Sequence, residues 1–195
     1  ADLNTALQNA VSTDVLTLTV DSSATATAAQ LDVLDNKTSV AVKVDAAEVT
    51  GTFTELNKVY VTNKANFTAL GNENIVITGG TAEQVNTIAN LTTGKVTATI
   101  ADTAANLVAA LTKSTGDALS LEVTGTAKAS DLITLDGKTS EDITVSATAV
   151  TGTYAELYKV YQTNALNFAG LGTQNVTITD KVTVDQINVI KELTS

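Results

Sequence analysis

The chain has 195 residues, a net charge of −10 and a pI near 4.3, and it lacks Cys, His, Met, Pro, Trp and Arg. Without His or Cys it has neither an imidazole base for a nucleophile nor the usual ligands of zinc, copper and iron, which points away from an enzyme and leaves only oxygen-ligand metals such as calcium. Its acidity opposes nucleic acid and anionic membrane surfaces, both of which need basic patches, and no apolar run approaches the ~18 residues of a membrane span.

Read in chain order, strand-like and helix-like segments alternate. Seven segments alternate apolar and polar residues: VLTLTV (15–20), VAVKV (40–44), NIVIT (74–78), VTATI (96–100), LSLEV (119–123), ITVSA (143–147) and NVTIT (175–179). Alternation at period two predicts strands with one buried face. The inward set is Leu16, Leu18, Val20, Val40, Val42, Val44, Ile75, Ile77, Val96, Ile100, Leu119, Leu121, Val123, Ile143, Val145, Val176 and Ile178. Between these lie five Thr-x-x-Gln or Thr-x-x-Glu signals, each followed by an aliphatic residue: Thr27/Gln30, Thr52/Glu55, Thr81/Gln84, Thr153/Glu156 and Thr183/Gln186. This pattern predicts a capping box at a helix start. Asn36, Gly94 and Gly137 are the expected stops.

A repeat organises these elements. Residues 49–78 align without gaps to 150–179 with 18 identities in 30 at an offset of 101, and LDNKTS (34–39) pairs with LDGKTS (135–140) at the same offset. The chain therefore reads as two copies, approximately 1–93 and 94–195, each of about four strand-helix units. Spacings too short for a doubly wound domain predict an α/β fold: a single-sided right-handed α/β solenoid of parallel strands and short helices, continuous over 1–195, in which no unit buries its apolar face alone. Two tandem β-sandwich modules are the alternative.

All seven rings fall in two matching segments, GTFTELNKVYVTNKANFTALG (51–71) and GTYAELYKVYQTNALNFAGLG (152–172). Phe53, Tyr60, Phe67, Tyr154, Tyr161 and Phe168 read as structural plugs of an apolar bulge carrying about ten extra residues. Tyr158, Asn57 in the other copy, reads as a possible surface contact for a glycan. Asp32/Asp35 and Asp131/Asp136 flank turns where calcium could bind, although solvated carboxylates are the default, so no cofactor, catalytic residue or metal ligand is assigned. Thr17/Thr19, Thr97/Thr99 and Thr177/Thr179 form Thr-x-Thr rows too interrupted for an ice-binding face. The absence of Met predicts a processed product or a segment of a longer chain, and an Ala1 start would fit a removed signal.

The strings LTTGKVTATIADTAANL, LDGKTS, VTGTYAELYKVYQTN and GLGTQNVTITD resemble the internal repeats of giant repeat-rich cell-surface proteins of marine cyanobacteria and, more loosely, phage-fibre-type repeat arrays. The resemblance covers nearly the whole chain. It implies a non-enzymatic extracellular role in a cell coat, adhesion or surface motility, and transfers no functional residue. The expected partners are neighbouring repeats or further copies of the chain, with a glycan as the alternative for an adhesin or fibre module.

Overall fold

The structure, a computed structural model, describes residues 3–112 and 116–194. Ala1, the expected processed start, and Ser195, the last residue of the second copy, lie outside the described residues. The chain divides into two compact units, residues 1–80 with 87–98 and residues 81–86 with 99–195.

The first stretch runs α1 (Leu3–Ala6), β1 (Thr19–Val20), β2 (Thr25–Thr27), α2 (Ala28–Asp35), β3 (Val42–Val44), β4 (Glu48–Gly51) and α3 (Phe53–Asn57). Helix α3 continues as a π-helical segment, Lys58–Thr62, and a 3-10 turn, Lys64–Asn66. After these come β5 (Phe67–Thr68), β6 (Asn74–Ile77), α4 (Ala82–Ala89) and β7 (Val96–Thr103). The second stretch repeats the order: α5 (Ala104–Ala110), β8 (Ala118–Thr124), β9 (Thr126–Lys128), α6 (Ala129–Asp136), β10 (Ile143–Val145), β11 (Ala149–Gly152) and α7 (Tyr154–Tyr158). The π-helical segment Lys159–Thr163 and the 3-10 turn Ala165–Asn167 lead to β12 (Phe168–Ala169), β13 (Asn175–Ile178) and α8 (Val184–Leu193).

The fold is mixed α/β with mostly parallel strands. In the first unit β1, β3 and β5 form one parallel ladder, while β2, β4, β6 and the start of β7 form another. In the second unit β8, β10 and β12 form one parallel ladder and β9, β11 and β13 the other. Every ladder with a defined register among the described residues is parallel, which the antiparallel β-sandwich alternative does not provide. Helices α1, α2 and α3 are successive neighbours in the first unit, as are α5, α6, α7 and α8 in the second.

All five capping boxes form. At Thr27, Thr52, Thr153 and Thr183 the hydroxyl accepts from the N–H three residues on, and the Gln or Glu side chain accepts from the Thr N–H. Thr81 and Gln84 make the same pair at 3.0 and 3.4 Å. Behind four of the caps an aliphatic face turns inward: Leu31 and Leu34, Leu56 and Val59, Val85 and Ile88, Leu157 and Val160 are all buried, whereas behind Thr183 only Ile190 is. Enclosing one such side chain contributes about 1.5–3 kcal/mol, more than a cap does.

The expected inward phase of the strands holds for most positions, but Leu16, Val40, Val176 and Ile178 are only half-buried. Two features differ from expectation. Most turns of chain lay down two strands, one per ladder, instead of one, whereas the turn between α4 and α5 lays down the single strand β7. The unread second strands, three or four residues long, run straight into an N-cap, as Thr25–Thr27 does into α2, and carry small residues such as Ala26 and Gly51 on the inward face, which masks their alternation. The ten extra residues also disappear. Val42 pairs with Phe67, 25 residues on, and Glu48 with Asn74, 26 on, so the supposed bulge contains β5 and the turn has ordinary length. Asn36 and Gly137 end α2 and α6, but Gly94 lies beyond the end of α4.

Candidate functional site

The two aromatic segments are the most elaborated part of each copy. Their helices begin at the Thr52 and Thr153 caps and then widen, with Asn63 N–H donating to Lys58 O at 2.7 Å and Asn164 N–H to Lys159 O at 2.8 Å. Such i to i+5 bonds define π-helical turns, which are rare and often lie at functional sites.

Beneath each turn a tyrosine enters the interior. Tyr60 is 2% exposed and its hydroxyl donates to Oε1 of Glu73, itself only 4% exposed. The Glu73 oxygens also accept from the N–H groups of Gly71 and Asn72 at 3.0–3.1 Å, so this buried acid is fully bonded. Burial and the Glu73 hydrogen bond push the Tyr60 hydroxyl far above the ordinary tyrosine range. In the second copy Gln174 replaces Glu73. It accepts from Gly172 N–H at 3.0 Å, donates to Gly170 O at 2.6 Å, and lies 3.5 Å from the Tyr161 hydroxyl. Burial alone pushes Tyr161 up to about 12.

Phe67 and Phe168 are buried strand residues of β5 and β12. Phe53 and Tyr154 are half-buried, each being the first residue of its helix. Tyr158 is 39% exposed, with its ring centroid 5.9 Å from that of Tyr154 at a 35° tilt. This pair of accessible rings exists only in the second copy, since residue 57 is Asn.

Two of the four carboxylates considered for calcium are bound by side-chain amides. Asp35 accepts from Asn63 and Asn66 at 3.2 and 3.0 Å, and Asp136 from Asn164 and Asn167 at 2.6 and 2.8 Å. Each clamp ties the end of one helix to the next turn's 3-10 segment. Asp32 pairs with Lys58 at 2.8 Å, and Asp131 lies in the first turn of α6, where its charge complements the helix dipole. Among the described residues no group of three or more His, Cys, Asp or Glu side chains is placed to hold a metal ion. No described helix is long and apolar enough to cross a membrane.

The Glu73/Gln174 plugs and the Asn clamps escaped sequence reading. Their only signal was recurrence of N-x-x-N-F and of an acid or amide in G-N-E-N and G-T-Q-N at matched positions of the two copies. No protein-family model matches the chain, and comparison with curated proteins and with solved structures returns no match.

Proposed function

We propose that the chain is a non-enzymatic structural repeat module of an extended extracellular surface protein or filament, built as an α/β solenoid that stacks end to end. The observation that carries this reading is the residue-level repetition of architecture. The Thr52 and Thr153 caps, π-turns, Asn clamps and buried tyrosines recur at an offset of 101, while among the described residues no feature unique to one copy forms an enclosed polar site. A fold whose successive turns pair in parallel can lengthen by adding turns, and its terminal strands keep one free edge. The surface-protein resemblance and the absence of oxidisable Cys, Met and Trp support an extracellular setting. Small-angle scattering on chains carrying one, two and four copies tests the reading. The maximum dimension should rise in proportion to copy number.

The paired rings of Tyr154 and Tyr158 favour a second reading, a glycan-binding adhesin or fibre module in which a sugar stacks on Tyr158. A glycan array probed with the native chain and with Tyr158→Ala separates the two. A blank array, or signals unchanged by the substitution, removes the second reading.

A further inference from the structure

The same strand and helix occur twice, covered in the first copy and, among the described residues, bare in the second. In the first, β6 carries β7 on its outer edge: Ile75 pairs with Val96 and Ile77 with Ala98, and Ile75 N–H donates to Lys95 O at 2.9 Å. Two asparagines fasten the segment, Asn74 Oδ1 accepting from Lys95 N–H at 2.9 Å and Asn86 Oδ1 from the N–H and hydroxyl of Thr112 at 2.9 and 3.1 Å. Under this cover Ile75 and Val85 are fully buried and Ala82 is 2% exposed.

In the second copy β13 has, among the described residues, a ladder only with β11. Asn175 and Thr179 N–H groups bond toward β11, so by the alternation of a parallel ladder the N–H groups of Val176 and Ile178 face outward. Val176 and Ile178 are half-exposed, Ile187 is 47% and Val184 72% exposed. Both asparagines are present at the matching positions, Asn175 and Asn188, and both are exposed. An edge that keeps the apolar row, the outward N–H groups and the two polar fasteners retains the strand-pairing elements that engage the covering segment in the first copy, although Asn72, which accepts from the Thr93 hydroxyl there, is Thr173 here.

We propose that the outer face of β13 and α8 is an acceptor for a strand-then-helix segment of the type Thr92–Thr112, entering parallel to β13 and supplied by a further repeat of this kind. Val176 would pair with the residue matching Val96, and Asn188 would take the N–H matching Thr112. The recognition is main-chain strand addition with alternate aliphatic side chains. A second copy of the present chain is the poorer donor, because its own segment is already engaged by β6 and Asn86.

The inference rests on the repeat-module reading and is tested separately from it. A fluorescent synthetic peptide of residues 92–112 is titrated into the 195-residue chain and followed by anisotropy. Saturable one-to-one binding is expected. It should weaken at least tenfold with a peptide N-methylated at the position of Thr97, whose N–H the parallel pattern aims at the acceptor strand, and at least tenfold with Ile187→Glu in an otherwise folded chain. No binding, or equal binding by the N-methylated or a scrambled peptide, overturns the proposal. So does concentration-dependent self-association of the chain that the peptide abolishes, since that assigns the face to a second copy. Failure here beside a proportional rise of length with copy number would leave the module reading standing.

Discussion

The hydroxyl of Tyr60 donates to the buried carboxyl group of Glu73, and through it the π-turn after α3 is tied to the loop that starts β6. Tyr161 and Gln174 occupy the same places, but their oxygens are 3.5 Å apart and the amide finds its partners in the backbone instead. Tyr60→Phe therefore strips a buried acid of one partner and should cost about 1–3 kcal/mol. Tyr161→Phe should cost well under half as much. Urea unfolding of the two variants checks the difference, and equal losses would mean that the hydrogen bond contributes nothing beyond ring burial.

The same tyrosines set an alkaline limit. Both hydroxyls have their pKa raised by burial, Tyr161 to about 12 and Tyr60 beyond it, against 10.0 for an ordinary tyrosine. A raised pKa means that the folded state favours the neutral phenol. The associated stability is fully present below pH 10 and is lost as pH climbs through the folded values. Thermal unfolding measured between pH 8 and 12 should be level at first and fall above about pH 10. Tyr60→Phe should soften that fall.

The caps, most of the inward phase and seven of the strands were legible in the sequence because each rests on a local period or a fixed three-residue spacing. The two-ladder arrangement was not, because strands such as Thr25–Thr27 and Glu48–Gly51 turn small residues, Ala26 and Gly51, inward and merge with the extended N-cap residue that follows. Missing β5 at Phe67–Thr68 also made an ordinary turn look ten residues too long. The site was legible only in part. Tyr60 could be placed inside by helical spacing, but its partner Glu73 lies 13 residues on in a loop, where no period applies.

Ala69 has φ of 66°, the one described non-glycine residue in the left-handed region, whereas its counterpart Gly170 has φ of 81°. An L side chain there costs roughly 1–2 kcal/mol. Ala69→Gly should raise stability by up to about 1 kcal/mol after the entropy of the freer unfolded chain is counted. Gly170→Ala should lower it by more than that, because a Cβ would also lie 3.1 Å from Val145 O. Denaturation midpoints of the two variants should move in opposite directions.

Gly94 supports the close passage of two chain segments. A Cβ on it would lie 2.2 Å from Glu73 O and 2.8 Å from Asn74 N, both backbone atoms of the loop that places Glu73. Gly94→Ala should cost about 2–3 kcal/mol, at the upper end of overpacking losses. Calorimetry of this variant should show a clearly lower melting temperature, whereas Gly79→Ala, with no atom within 4 Å, should lose only its backbone strain.

In the proposed solenoid, copies add turn upon turn in one direction. Scattering from chains of one, two and four copies tests it most directly. With strands ~4.8 Å apart and four turns to a copy, each added copy should lengthen the particle by about 19 Å at constant cross-section. A cross-section that grows with copy number, or a length that stops rising, would contradict the account.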